Sequence, residues 1–261
     1  MRREKGFGAL KTFQSKGAEF SYETLGGSGP VVVWAHGWGQ DHKAFLPLAS
    51  SLEKSGAHAL IDFPGFGGSK EPPQTWGTED YADAVAEWLK TQSYGPIIWV
   101  GHSFGCRVGI QIAARHPELI AGLFLIAAAG LKRKRPLHRT IYLKTRIYAF
   151  KAAKKIFGSE WANGKFGSRD YKQTSGVMRS IFVKVVNEDL SAKAKEIACP
   201  VKLVYGSKDT ETPPEIGHKF AALIPNADMV LLEELDHYSI LSGGRHQVAP
   251  ILKSFMTDTY K

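Results

Sequence analysis

Short, strongly apolar stretches punctuate the first half of the chain at residues 31–35, 57–62, 96–100 and 120–126. A strand with one wet face alternates polar and apolar residues. Val31-Val32-Val33-Trp34-Ala35 does not alternate, and such a run fits a strand covered on both faces. Residues 19–24 do alternate and predict a half-exposed strand. Helical periodicity fills the intervals. Residues 45–54 form one candidate. A second starts after Thr78 as N-cap and gathers Tyr81, Val85, Trp88 and Leu89 on one face. A third covers 104–115, with Pro117 just beyond it. Gly26-Gly27-Ser28-Gly29-Pro30 reads as a turn, and Pro64-Gly65-Phe66-Gly67-Gly68-Ser69 as a loop. Strand and helix in strict alternation predict an α/β fold: a mostly parallel sheet with helices on both faces.

The alternation stops at residue 131. Residues 131–196 hold no convincing strand and several helical stretches rich in Lys and Arg. The sheet pattern returns at 201–205, followed by a helix at 215–223, a last strand at 229–233 and a closing helix at 245–256. The expected organisation is a core domain of 1–130 and 197–261, interrupted by a helical insertion at 131–196. Ile141, Tyr142, Ile147, Tyr148 and Phe150 are expected to face a pocket or the sheet domain.

The size of the chain, 261 residues, suits one such interrupted domain, and 43% hydrophobic with 23% charged residues is ordinary for a globular protein. A core of this size needs no disulfide. Cys106 and Cys199 are far apart and read as buried free thiols, which suits a reducing compartment. The basic residues 1–16 lack the apolar stretch of a secretory signal, and no apolar run is long enough to cross a bilayer. A cytoplasmic protein is expected. The net charge of +9 is uneven: residues 131–196 carry 17 Lys and Arg against 5 Asp and Glu, and the remainder 17 against 20. The basic excess therefore belongs to the insertion. It fits an anionic substrate, peripheral contact with an anionic membrane, or a solvated helical face. Nucleic acid is a poor fit, since the rest of the chain is net acidic and holds no recognition motif. No metal or cofactor is called for.

The chemistry concentrates at Gly101-His102-Ser103-Phe104-Gly105, between a predicted strand and a predicted helix. This G-x-S-x-G context puts a serine on a sharp turn at the carboxyl edge of the sheet, where larger residues in place of the glycines would collide. A serine hydroxyl needs a base. Among nine histidines, His237 follows the last strand, at the same sheet edge, and the only later one, His246, falls in the closing helix. The acid should come from another strand end. Ala127-Ala128-Ala129-Gly130 offers no carboxylate, whereas Tyr205-Gly206-Ser207-Lys208-Asp209 supplies Asp209, with Glu211 as local competitor. The backbone N–H groups of Phe104 and Trp38 are the expected oxyanion donors. His36 and His102 read as structural.

The stretches Trp34-Ala35-His36-Gly37-Trp38-Gly39, Asp62-Phe63-Pro64-Gly65-Phe66-Gly67-Gly68-Ser69, the serine turn, Tyr205-Gly206-Ser207-Lys208-Asp209 and Asp236-His237 appear in an order that resembles the α/β-hydrolase family from about residue 20 onward, and Arg115-His116-Pro117-Glu118 is a further familiar connector. The resemblance implies a Ser103–His237–Asp209 triad and a helical cap at 131–196. Relatives with an aspartate nucleophile, such as haloalkane dehalogenases and typical epoxide hydrolases, are disfavoured by Ser103. The expected function is hydrolysis of a small-molecule carboxylic ester or related acyl bond. Two alternatives stay open: a C–C bond hydrolase acting on an anionic dioxo acid, and a non-catalytic small-molecule receptor of the same fold. Fold does not choose among them, and oligomeric state is not legible.

Overall fold

The computed structural model describes residues 10–132, 141–142, 145, 147–150, 152, 155–156, 171 and 174–261. Among these, eight strands form one sheet in the order β1-β2-β4-β3-β5-β6-β7-β8. They are β1 (Lys11–Ser15), β2 (Ala18–Gly26), β3 (Val31–Ala35), β4 (Ala57–Asp62), β5 (Ile97–His102), β6 (Ile120–Ile126), β7 (Val201–Gly206) and β8 (Ala227–Leu232). β1 and β2 pair antiparallel, as do β2 and β4, and every pairing from β4 through β8 is parallel. The helices are α1 (Leu46–Ser51), α2 (Thr78–Thr91), α3 (Phe104–Arg115), α4 (Gly176–Asn187), α5 (Ser191–Lys195), α6 (Pro214–Leu223) and α7 (Arg245–Thr259).

The continuous apolar strands divide residue by residue between two cores. Val33, Ala35, Ile61, Trp99, Leu125 and Leu203 join α2, α3, α4 and α6 on one face. Val32, Trp34, Leu60, Ile98, Val100 and Phe124 join α1 and α7 on the other. Period-two alternation thus buries both faces, as a central parallel sheet requires.

Four local readings are corrected. β1 is an edge strand whose polar sequence Lys11-Thr12-Phe13-Gln14-Ser15 gave no signal; Phe13 stacks on Phe20 at 4.4 Å and on Trp88 at 4.9 Å. Gly77, not Thr78, caps α2, and Asp80 accepts the Gly77 N–H (2.8 Å). The helix expected at 45–54 is shorter, because single turns of 3-10 helix flank α1. Ile141, Tyr142, Ile147 and Tyr148 are each more than half exposed, while Phe150 is half-buried. Much of the insertion expected at 131–196 lies outside the described residues. Its described end, α4, seats Met178, Ile181 and Val185 on the core.

Cys106 is buried and Cys199 half-buried, both as free thiols. Among the described residues no helix is long and apolar enough to cross a membrane.

The loop after β4 hangs on one buried carboxylate. Asp62 accepts the His42 N–H (2.6 Å), His42 Nδ1–H (2.9 Å) and the Gly68 N–H (2.8 Å). Burial alone would raise the Asp62 pKa, but these donors hold it below its usual value; the Asp62 bond lifts His42 above 6.5. The raised His42 stabilises the fold fully below 6.5, and that contribution fades as pH rises through its folded value. The depressed Asp62 contributes above 3.8 and loses this as pH falls through its folded value. Stability from the pair is therefore greatest between those limits. Asp62→Asn is expected to cost roughly 3–5 kcal/mol at pH 6 and less at pH 9, read as urea midpoints at the two pH values.

Candidate active site

β5 ends at His102 and α3 begins at Phe104, so Ser103 alone makes the turn between them. Its φ of +48° and ψ of −99° fall where a residue with a Cβ is strained by about 1–3 kcal/mol. The neighbours hold it there. Ser103 N–H donates to Ile126 O (3.1 Å), Gly105 N–H to His36 O (3.1 Å) and Trp99 Nε1–H to Gly105 O (2.9 Å). The glycine requirement is steric, as expected. A Cβ on Gly105 would run into the Ala35 carbonyl, and one on Gly101 would lie 2.7 Å from the Cys106 nitrogen. Ser103 is half-buried at the carboxyl edge of the sheet.

His237 and Asp209 reach the same edge from the loops after β8 and β7, and both are buried. With its proton on Nδ1, His237 donates to Asp209 Oδ2 at 2.7 Å. The other carboxylate oxygen accepts the N–H groups of Glu211 and Thr212, each at 2.8 Å, and Thr212 Oγ1 donates to Oδ2 at 2.8 Å. Burial pushes the Asp209 pKa up, but the His237 bond and charge and the Thr212 donors outweigh it, leaving it below its usual value. Asp209 is therefore ionised at neutral pH. Thr212, which sequence reasoning overlooked, also lies 3.1 Å from His237 Nδ1 and from Ala127 O. Its only sequence signal is a position three residues after Asp209.

The His237 loop is tethered beside the serine. His102, immediately before Ser103, donates Nε2–H to the His237 carbonyl (2.9 Å), and the two rings lie 4.8 Å apart. Among the described residues Ser103 Oγ makes no hydrogen bond, so Asp209 and His237 are joined while the Ser103–His237 link is not formed. Catalytic bonds of this kind often tighten only when substrate is bound. Glu211, the local competitor, sits on the other side of the imidazole, its Oε2 3.6 Å from Nε2 and accepting from Tyr238 OH (3.3 Å). It does not hold Nδ1.

Neither the Trp38 nor the Phe104 N–H has a hydrogen-bond partner among the described residues. Phe104 opens α3, where N–H groups have no intrahelical acceptor and the helix dipole favours negative charge. Gly37 N–H donates to Gln40 Oε1 (2.8 Å), which steadies the Trp38 loop. His36 is buried, accepting the Phe63 N–H at Nε2 (3.1 Å). Burial together with the His237 ring pushes His102 down to about 3, so it stays neutral at pH 7. Both have structural hydrogen bonds, in line with the sequence reading. The Trp38 ring meets Phe66 (4.9 Å), Phe104 (5.4 Å) and Phe182 of α4 (5.1 Å), giving the site an aromatic wall. Among the described residues no group of three or more His, Cys, Asp or Glu side chains is arranged to hold a metal.

The sequence model of the alpha/beta hydrolase family matches residues 32–251. A pimeloyl-[acyl-carrier protein] methyl ester esterase of Chromobacterium violaceum is 28% identical over 239 residues, covering 84% of this chain and 91% of the relative. A 2-(acetamidomethylene)succinate hydrolase of Mesorhizobium japonicum is 24% identical, covering 81% and 83%. Among solved structures, a thermophilic esterase from Thermogutta terrifontis superposes with a TM-score of 0.73 at 17% identity, covering 97% of this chain and 100% of that one.

Proposed function

We propose, from the premise that this chain belongs to the alpha/beta hydrolase family, that it hydrolyses a small-molecule carboxylic ester through an acyl-serine intermediate. The observation that carries this reading is the buried 2.7 Å bond between Asp209 and His237, tethered through His102 beside the strained Ser103. Ser103 Oγ attacks the ester carbonyl while His237 Nε2 takes its proton. The carbonyl oxygen becomes an oxyanion and accepts from the N–H groups of Trp38 and Phe104, each worth roughly 3 kcal/mol in sites of this type. His237 then returns the proton to the alcohol oxygen as the C–O bond breaks. Water, deprotonated by His237, attacks the acyl-serine; the collapse restores Ser103 and releases the acid. Asp209 stabilises the imidazolium at each stage without itself taking the proton.

Residues 131–196 act in this reading as a cap that shapes the acyl pocket and excludes water. The Trp38–Phe182 ring contact supports that role for α4. The relatives named as an esterase and a hydrolase support the reaction class.

A fluorophosphonate probe tests the reading together with a panel of p-nitrophenyl esters. The expected result is one labelled residue, Ser103, and turnover of short-chain esters. Absence of both labelling and turnover, with tight binding of a small molecule, would replace the hydrolase reading with that of a receptor.

A further inference from the structure

Arg107 lies one helical turn beyond Ser103 on α3, on the same face. Its Nη1 is buried and has no hydrogen-bond partner, the residue as a whole is half-buried, and no ion pair joins it to a carboxylate among the described residues. Leaving a buried charged donor unpaired is costly. The cavity it lines measures about 510 Å³, enough for a small acyl chain, and is bounded also by Gly130, Lys132, Glu188, Glu211 and Thr212. Two of its wall residues also touch the candidate triad: Thr212 donates to Asp209, and Glu211 is 3.6 Å from His237 Nε2.

Of the two carboxylates in the wall, Glu188 acts on Arg107 through its charge but makes no ion pair with it. Glu188 is turned to the first turn of α2, where it accepts the Thr78 N–H (3.0 Å) and Thr78 Oγ1–H (2.5 Å), so a helix N-terminus answers its charge. Glu211 is turned to the His237 imidazole, 3.6 Å from Nε2, and accepts from Tyr238 OH (3.3 Å). Lys132 is itself largely exposed and only 3.9 Å from Asp189.

We propose that Arg107 is the receptor for a small oxyanion at the far end of the substrate's acyl chain, so that the preferred substrate is an ester whose acyl group ends in a negative charge. This rests on the esterase reading above and names its substrate class. The planar guanidinium would take the oxyanion through paired N–H donors. The contact lies away from the carbonyl undergoing attack. It is therefore made equally in ground and transition states, and its loss falls on KM rather than kcat.

The test compares the mono-p-nitrophenyl ester of glutaric acid with the uncharged p-nitrophenyl ester of equal chain length, in wild type, Arg107→Gln and Arg107→Lys. A phosphonate-ended analogue run beside them tells which oxyanion the cavity takes. Wild type is expected to favour the charged ester at least tenfold in kcat/KM. Arg107→Gln should cut that ratio tenfold or more, mainly through KM, and Arg107→Lys should recover part of it. Glutarate binding by calorimetry, weaker in Arg107→Gln, reads the same contact without turnover. A ratio and a glutarate affinity unaltered in a well-folded Arg107→Gln overturn the proposal while leaving the esterase reading intact. Absence of turnover and of fluorophosphonate labelling in wild type overturns the esterase reading, and the calorimetry then decides whether Arg107 binds an oxyanion.

Discussion

Ser103→Ala is expected to lower kcat for ester hydrolysis by up to about 10⁶-fold, the scale on which loss of a triad serine acts in hydrolases of this mechanism. The backbone of the turn is set by Ile126 O, His36 O and the clearance around Gly101 and Gly105, none of which involves the serine hydroxyl. Alanine at the same φ and ψ therefore leaves the fold and its melting temperature nearly unchanged. What disappears is the atom that bonds to the acyl carbon in the proposed mechanism. Residual hydrolysis above the uncatalysed rate would come from the oxyanion donors and substrate positioning alone. Steady-state kinetics paired with a melting curve checks both halves, and full activity in this variant would end the triad assignment.

Asp209→Asn is the more informative change, with an expected fall in kcat of about 10⁴-fold. Asparagine must put its NH₂ at one of two oxygen positions. At Oδ1 it would face the N–H groups of Glu211 and Thr212, two donors at 2.8 Å, and the clash of donors is prohibitive. The NH₂ is thus driven to the Oδ2 position, against His237 Nδ1. That nitrogen must then give up its proton and accept, which moves the proton to Nε2, the atom that receives from Ser103 in the proposed mechanism. The variant keeps its shape and loses its base. A shift in the imidazole tautomer by nitrogen NMR, alongside the kinetic loss, distinguishes this account from simple destabilisation.

The arrangement of the sheet was legible because both-face burial leaves a strong mark: a run such as Val31–Ala35 admits few other structures. The proposed nucleophile and acid could be nominated for a related reason: Ser103 follows β5 directly and Asp209 comes three residues after β7, and strand ends define one edge. β1 was not legible because an edge strand with a single buried face of two or three residues carries almost no pattern. The capping role moved from Thr78 to Gly77 because the helix starts one residue earlier, with Gly77 extended and Thr78 already in the first turn, where its Oγ1–H donates to Glu188, 110 residues away in sequence. Arg107 gave no signal for the opposite reason. In sequence it is an ordinary polar position in a helix, and its lack of a partner exists only in three dimensions.

The bond from Glu188 to Thr78 has a bearing on redesign. One carboxylate belongs to the wall of the cavity and at the same time completes the first turn of a core helix, so substitutions there change selectivity and foldedness together. Val186 and Asn187 border the same space and carry no bond to α2. Engineering toward longer or bulkier substrates therefore begins at those two positions, with Glu188 left alone.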